Sequence, residues 1–178
     1  MTVRRTLRYA FVCAALMWAA ALLLATLVAS RPHPAPPAYL FSLFVYVAGS
    51  VVCHQLPERS FHLWAAQMPV CARCTGIYFG AALAAIILVA RRRGPVYVPA
   101  VQRAHGASSI AGGTADTRVG HSSSRRWLVV ATLPTIITLL YEWTTGHTPA
   151  NWIRATAGVP IGVIVAWVVV SAANDGVN

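Results

Sequence analysis

At 178 residues the chain suits one domain of a few helices, and its 57% hydrophobic and 10% charged residues stand far from the roughly 25% charge of soluble domains. That balance excludes a water-soluble fold and points to a membrane protein whose expected partner is the lipid bilayer. The net charge of +10 comes entirely from arginine, and without a basic–aromatic groove pattern it gives no reason to expect nucleic acid.

The absence of lysine beside abundant alanine reads as a coding bias rather than a need for guanidinium. Arginines grouped at the ends of apolar runs read as topology signals. Arg4, Arg5 and Arg8 precede an uncharged run from Tyr9 to Ala29. At 1.5 Å per residue that run covers roughly 30 Å, enough to cross a bilayer. The rival reading is a secretory signal with small residues at Val28, Ala29 and Ser30. Signal cores are typically about 7–15 residues, so a retained first helix is expected. Arg31 to Pro37 cannot continue a helix and makes a stiff connector.

A second apolar run, Ala38 to Val52, is short for a crossing and can instead enter and return on one side. A third runs from Thr75 to Ala90 and is closed by Arg91, Arg92 and Arg93. Residues 94–124, rich in Gly, Ser, Ala and Thr, read as a flexible loop. A fourth run starts at Trp127 and reaches Tyr141 with Pro134 inside, and a fifth spans Ala155 to Ala173. The expected fold is therefore an all-α polytopic membrane helix bundle. Residues 1–37 supply an N-terminal helix and its Pro-rich connector, and residues 38–178 a four-helix core with a basic loop at 91–126.

Topology conflicts with a simple count. The N-terminus and loop 91–126 are both basic, and both are expected in the cytoplasm. Five full crossings would separate them, so either the N-terminus lies outside or 38–52 is re-entrant. If the third and fourth helices both cross, the segment before the third and residues 142–154 share a face. With the basic loop inside, that face is extracytoplasmic.

The chemistry concentrates in one stretch, CHQLPERSFHLWAAQMPVCARCTGIYFG, from Cys53 to Gly80. Cys53, His54, Cys71 and Cys74 make a three-sulfur, one-nitrogen set suited to zinc or another soft or borderline divalent metal. His54 directly follows Cys53, and neighbouring side chains rarely reach one ion together, so His62 is an alternative fourth ligand. A redox reading has Cys71 and Cys74 as a dithiol that Cys53 resolves, as in a membrane thiol-disulfide oxidoreductase. On an oxidising face a structural disulfide is open, and the bland alternative is small thiols packing as hydrophobes. Cys13, within the first run, reads as structural. His33, His105, His121 and His147 are assigned to loops without a site role.

Helical periodicity puts Cys71, Cys74 and Tyr78 on one side of the third helix, if it starts near Cys71. Gly76, Gly80 and Ala84 form a second stripe with Arg73 on its extension. Asn151, Arg154, Gly158 and Gly162 share a narrow face of the fifth helix, and small residues four apart permit close helix approach. Glu142 is an acid beside a helical run, so it is expected either to face the bundle with Arg59, Arg73 or Arg154 as partner or to be solvated among headgroups. A third functional class is a small carrier or channel with Arg73, Glu142 and Arg154 along a polar path.

The pattern Cys53-His54-Gln55, Arg59-Ser60-Phe61, then Pro69 through Tyr78 and Gly80, resembles domain-of-unknown-function family 2085, small prokaryotic polytopic membrane proteins. Asn151, Arg154, Gly158 and Gly162 are similar to that family's second signature, and together the two cover residues 40–170. The resemblance implies a four-helix membrane core, here with an extra N-terminal helix in a prokaryotic inner membrane, and implies no activity. An acidic residue commonly precedes the second signature, and Glu142 is the candidate for it.

Overall fold

The computed structural model describes residues 2–91 and 119–172. Five α-helices lie within them: α1 (Thr2–Ala29), α2 (Pro36–Val52), α3 (Ala72–Arg91), α4 (Val119–Thr145) and α5 (Asn151–Ala172). Among the described residues, four stretches are long and apolar enough to cross a membrane: Thr6–Ala29, Ala72–Ala90, Arg126–Thr145 and Asn151–Ala172. The protein is an all-α membrane bundle, carrying one small β-hairpin that periodicity did not anticipate: β1 (Ser60–Leu63) and β2 (Ala66–Cys71), antiparallel.

The close pair is α3 with α5. A methyl group at Gly76 would collide with the backbone of Ala155, one at Gly158 with the carbonyl of Arg73, and one at Gly162 with the carbonyl of Ile77. The small-residue stripes of the two helices therefore form one seam in which backbone meets backbone. Both helices start at the same end of the bundle, so they run parallel. α4 runs the other way against α5, where the Thr135 hydroxyl donates to the Ala157 carbonyl at 2.8 Å.

α1 runs antiparallel to α3. Val12 packs with Ala84, Ala85 and Ala166 at one end, and Trp18 meets the Tyr78 ring edge-on midway. At the other end Leu22 and Ala25 join Val45, Met68 and Val70 in a buried cluster. The start of α1 and the end of α3 thus share one end of the bundle, and the hairpin occupies the opposite, motif end.

α2 packs at the motif end. Ser42 donates to the Ala25 carbonyl at 3.0 Å, Tyr46 donates to the Gln67 carbonyl, and Gly49 lies against Pro69. These contacts keep α2 among the last turns of α1 and the hairpin, at the motif end. At 17 residues it spans about 25 Å at 1.5 Å per residue, short for a full crossing.

The remaining differences have local causes. The fourth helix begins at Val119, so residues 119–124 and His121, expected in the loop, are helical; the rest of that expected loop, 92–118 with His105, lies outside the described residues. The motif between Cys53 and Cys71 turns through a 3₁₀ turn at Pro57–Arg59 and then the hairpin. Trp64 and Ala65 form its two-residue loop with φ of 52° and 63°, both left-handed, where Asn-Gly is the usual choice. The register slips between Ser60↔Cys71 and His62↔Gln67. Pro69, which has no N–H for the ladder, sits within that slip.

Candidate functional site

The three cysteines of the motif come from three different elements. Cys53 ends α2 in extended backbone (φ −149°, ψ 137°), with its N–H donated to Gly49. Cys71 is the last residue of β2, and Cys74 lies in the first turn of α3. Their sulfur atoms lie within 4.8 Å of one another. The Cys71 N–H donates to the Cys53 sulfur at 3.2 Å, and Thr75 donates back to the Cys71 carbonyl at 3.1 Å. The end of the hairpin is thereby stitched to both helices.

This placement depends on amides that the sequence reading passed over. Gln55 adopts a left-handed φ of 49°, and its side-chain amide donates to the carbonyls of Tyr46 at 2.8 Å and Pro69 at 2.6 Å. Gln67 donates from the hairpin to the Gln55 carbonyl at 2.6 Å. The two side chains close the 53–71 segment over buried backbone acceptors, which would otherwise be costly to leave unpaired. Gln55 stood in the quoted motif; no signal marked Gln67.

His54 is exposed and outside the three-sulfur set. It nevertheless lines the same cavity as the three cysteines. His62, the alternative ligand, is also exposed, on β1. The neighbouring Cys74 thiol, with the backbone N–H groups of Cys74 and Arg73 and the Cys53 thiol, pulls Cys71 down to about 5, against the opposing effect of burial. A sulfur just before α3 also meets the positive end of the helix dipole.

Beside the sulfurs lies an ion cluster centred on Glu142. Its side chain is 3% exposed, and one carboxylate oxygen, Oε1, receives Arg73 at 3.2 Å and Arg154 at 2.7 Å. The Arg154 Nε also donates to Oε1 at 2.7 Å, and Arg59 approaches Oε2 at 3.8 Å. Arg73 donates in addition to Thr138 at 3.1 Å, one helical turn before Glu142 on α4; that i, i+4 spacing was the available signal for Thr138. Asn151, at the start of α5, donates to the Ser60 carbonyl at 2.9 Å and ties the second signature to the hairpin.

Sulfurs and guanidiniums share one cavity of about 380 Å³, lined among others by Cys53, Cys71, Cys74, Arg59, Arg73 and Arg154. It reaches the surface past the exposed His54 and Leu56. Toward the other half of the bundle, Val12, Ala84, Ala85 and Ala166 pack apolar surface together. Gly76, Gly80, Gly158 and Gly162 lie in the α3–α5 seam below the site and line no part of the cavity.

The model of a family described as predicted membrane protein (DUF2085) matches residues 53–168. The chain belongs to this family. The match opens on Cys53 and takes in both the sulfur set and the Glu142 cluster, so the family region and the site coincide. An uncharacterised protein of Methanocaldococcus jannaschii is 48% identical over 46 residues, 26% of this chain and 30% of that protein. A second, from Methanothermobacter thermautotrophicus, is 57% identical over 30 residues, 17% of this chain and 27% of that protein. These alignments span less than a third of either relative. No solved structure matches the chain.

Proposed function

We propose that Cys53, Cys71 and Cys74 form a thiolate site for a soft or borderline divalent metal, zinc being the simplest occupant, at the extracytoplasmic face of a prokaryotic inner membrane. The observation that carries this reading is the convergence of three sulfurs from three elements to within 4.8 Å of one another. In a tetrahedral zinc–thiolate site with bonds near 2.3 Å, sulfurs stand about 3.8 Å apart, so a small contraction of the set suffices. Three protein ligands leave a fourth position, on the side of the cavity, for water or a ligand. The side assignment rests on the arginine-rich start of α1, end of α3 and start of α4, which lie at the opposite end of the bundle and favour the cytoplasm.

Elemental analysis of the purified protein beside a thiol titration tests the reading. One metal per chain is expected, lost in Cys53→Ser and kept in Cys13→Ser. Absence of metal from wild-type protein prepared without chelator, and after incubation with zinc, overturns it.

A second reading, thiol–disulfide chemistry at Cys71 and Cys74, is favoured by the lowered Cys71 titration and its place at the helix start. Forming that disulfide from a Cys71 thiolate and a Cys74 thiol releases two electrons and one proton, so an external two-electron acceptor such as a quinone or a partner disulfide is required. In the same titration this reading predicts a metal-free protein that gains two thiols on reduction.

A further inference from the structure

We propose that the cavity beside the cysteines binds a small phosphate-type oxyanion on Arg59, Arg73 and Arg154, either free or as the headgroup of an anionic lipid. The first support is charge. Three guanidiniums meet one carboxylate, Glu142, which leaves two positive charges without a carboxylate counter-ion among the described residues. Three thiolates holding a divalent metal would return one negative charge, and the cavity would remain cationic. Excess charge of one sign in a poorly solvated site is unfavourable unless an ion of the other sign joins it.

The second support is an unused donor. Arg154 is 2% exposed and lines the cavity, yet its Nη1 has no hydrogen-bond partner among the described residues. The Nε atoms of Arg59 and Arg73 are buried and unpartnered as well. Guanidiniums present planar arrays of N–H groups that match the oxygens of a phosphate better than a spherical halide. The cavity of about 380 Å³ has ample room for such an ion with water. The entrance past His54 and Leu56 lies at the end of the bundle, where both soluble anions and headgroups are within reach.

The test uses full-length protein in a neutral detergent, titrated with sodium phosphate against sodium chloride at matched ionic strength. Radiolabelled phosphate gives binding, and the thermal unfolding midpoint gives linkage. Saturable binding and a raised midpoint with phosphate alone are expected. Arg59→Gln, whose side chain is 40% exposed and tolerant of replacement, should weaken phosphate binding about tenfold, the loss of one charge-assisted contact. Cys53→Ser should lose metal and keep phosphate, which separates this site from the thiolate site. In phosphatidylcholine nanodiscs, competition by added phosphatidic acid assigns the site to a headgroup, and no competition assigns it to the free ion. A phosphate response equal to that of chloride overturns the proposal. So does unchanged binding in Arg59→Gln, or phosphate binding that disappears with the metal in Cys53→Ser.

Discussion

The α3–α5 pair is held together in two unlike ways along its length. In its middle the contact is uncharged: Gly76, Gly158 and Gly162 let backbone approach backbone, and no side chain intervenes. At the motif end the same two helices carry Arg73 and Arg154, converging on Glu142 of α4. The seam explains the cluster. Helices drawn this close bring two guanidiniums together where the dielectric is low, and their repulsion must be met by an acid. Dispersion in the seam is a property of two helices, whereas the ion cluster needs Glu142 of α4 and Arg59 of the 3₁₀ turn as well. Breaking one region should therefore look different from breaking the other.

The largest effect is expected at the charged end. Glu142→Gln leaves Arg73 and Arg154 facing each other without a counter-ion, a loss of about 3–5 kcal/mol for a buried pair. Thermal unfolding in detergent should show it, and Arg73→Gln in the Glu142→Gln background should recover part. Strict additivity of the two changes would mean that the contacts at 3.2 Å and 2.7 Å are not coupled energetically.

Next in size is the seam. Gly162→Val should cost about 1–3 kcal/mol through overpacking, because its side chain meets the Ile77 carbonyl, a backbone atom that cannot step aside. Unlike Glu142→Gln, this loss should not respond to salt or to a second charge change. An unchanged midpoint would show that the helices separate readily and that the seam does not drive the convergence of the arginines.

The third prediction concerns reactivity rather than stability. In metal-free protein, Cys71 should be alkylated by iodoacetamide at pH 6 well above the rate of an ordinary thiol, because its titration lies at about 5. The sign follows from a depressed folded value. The thiolate's contribution to stability is full above the unfolded thiol range and is lost as pH falls through about 5. Rates that rise only above pH 8 would contradict this arrangement of sulfurs and N–H groups.

The smallest effect belongs to the hairpin tip. Ala65 is held at φ 63°, where a Cβ is disfavoured, so Ala65→Gly should stabilise by about 1 kcal/mol. Destabilisation would mean that the left-handed turn is not the populated conformation.

Which of these features were legible beforehand follows from their physics. The long helices announce themselves by apolar length, and the seam by small residues four apart. The placement of Glu142 was constrained by the cost of leaving an acid alone at membrane depth. The hairpin was hidden because its tip is Trp64-Ala65 rather than a recognised turn pair and because Pro69 interrupts its alternation. The course of α2 was ambiguous for another reason: a 17-residue apolar helix suits a short crossing or a lid equally well, and only its partners on α1 and β2 decide. His54 shows the limit of reading ligands by composition, since it lines the same cavity as the three cysteines yet stands outside the set of ligand atoms within 4.8 Å of one another.

X-ray absorption at the zinc K-edge on the metal-loaded protein tests whether three sulfurs hold a metal. Three sulfur scatterers at about 2.3 Å and one lighter atom from the cavity side are expected, with sulfur lost from the shell in Cys74→Ser. A shell of nitrogen and oxygen alone, unchanged by that substitution, would contradict it.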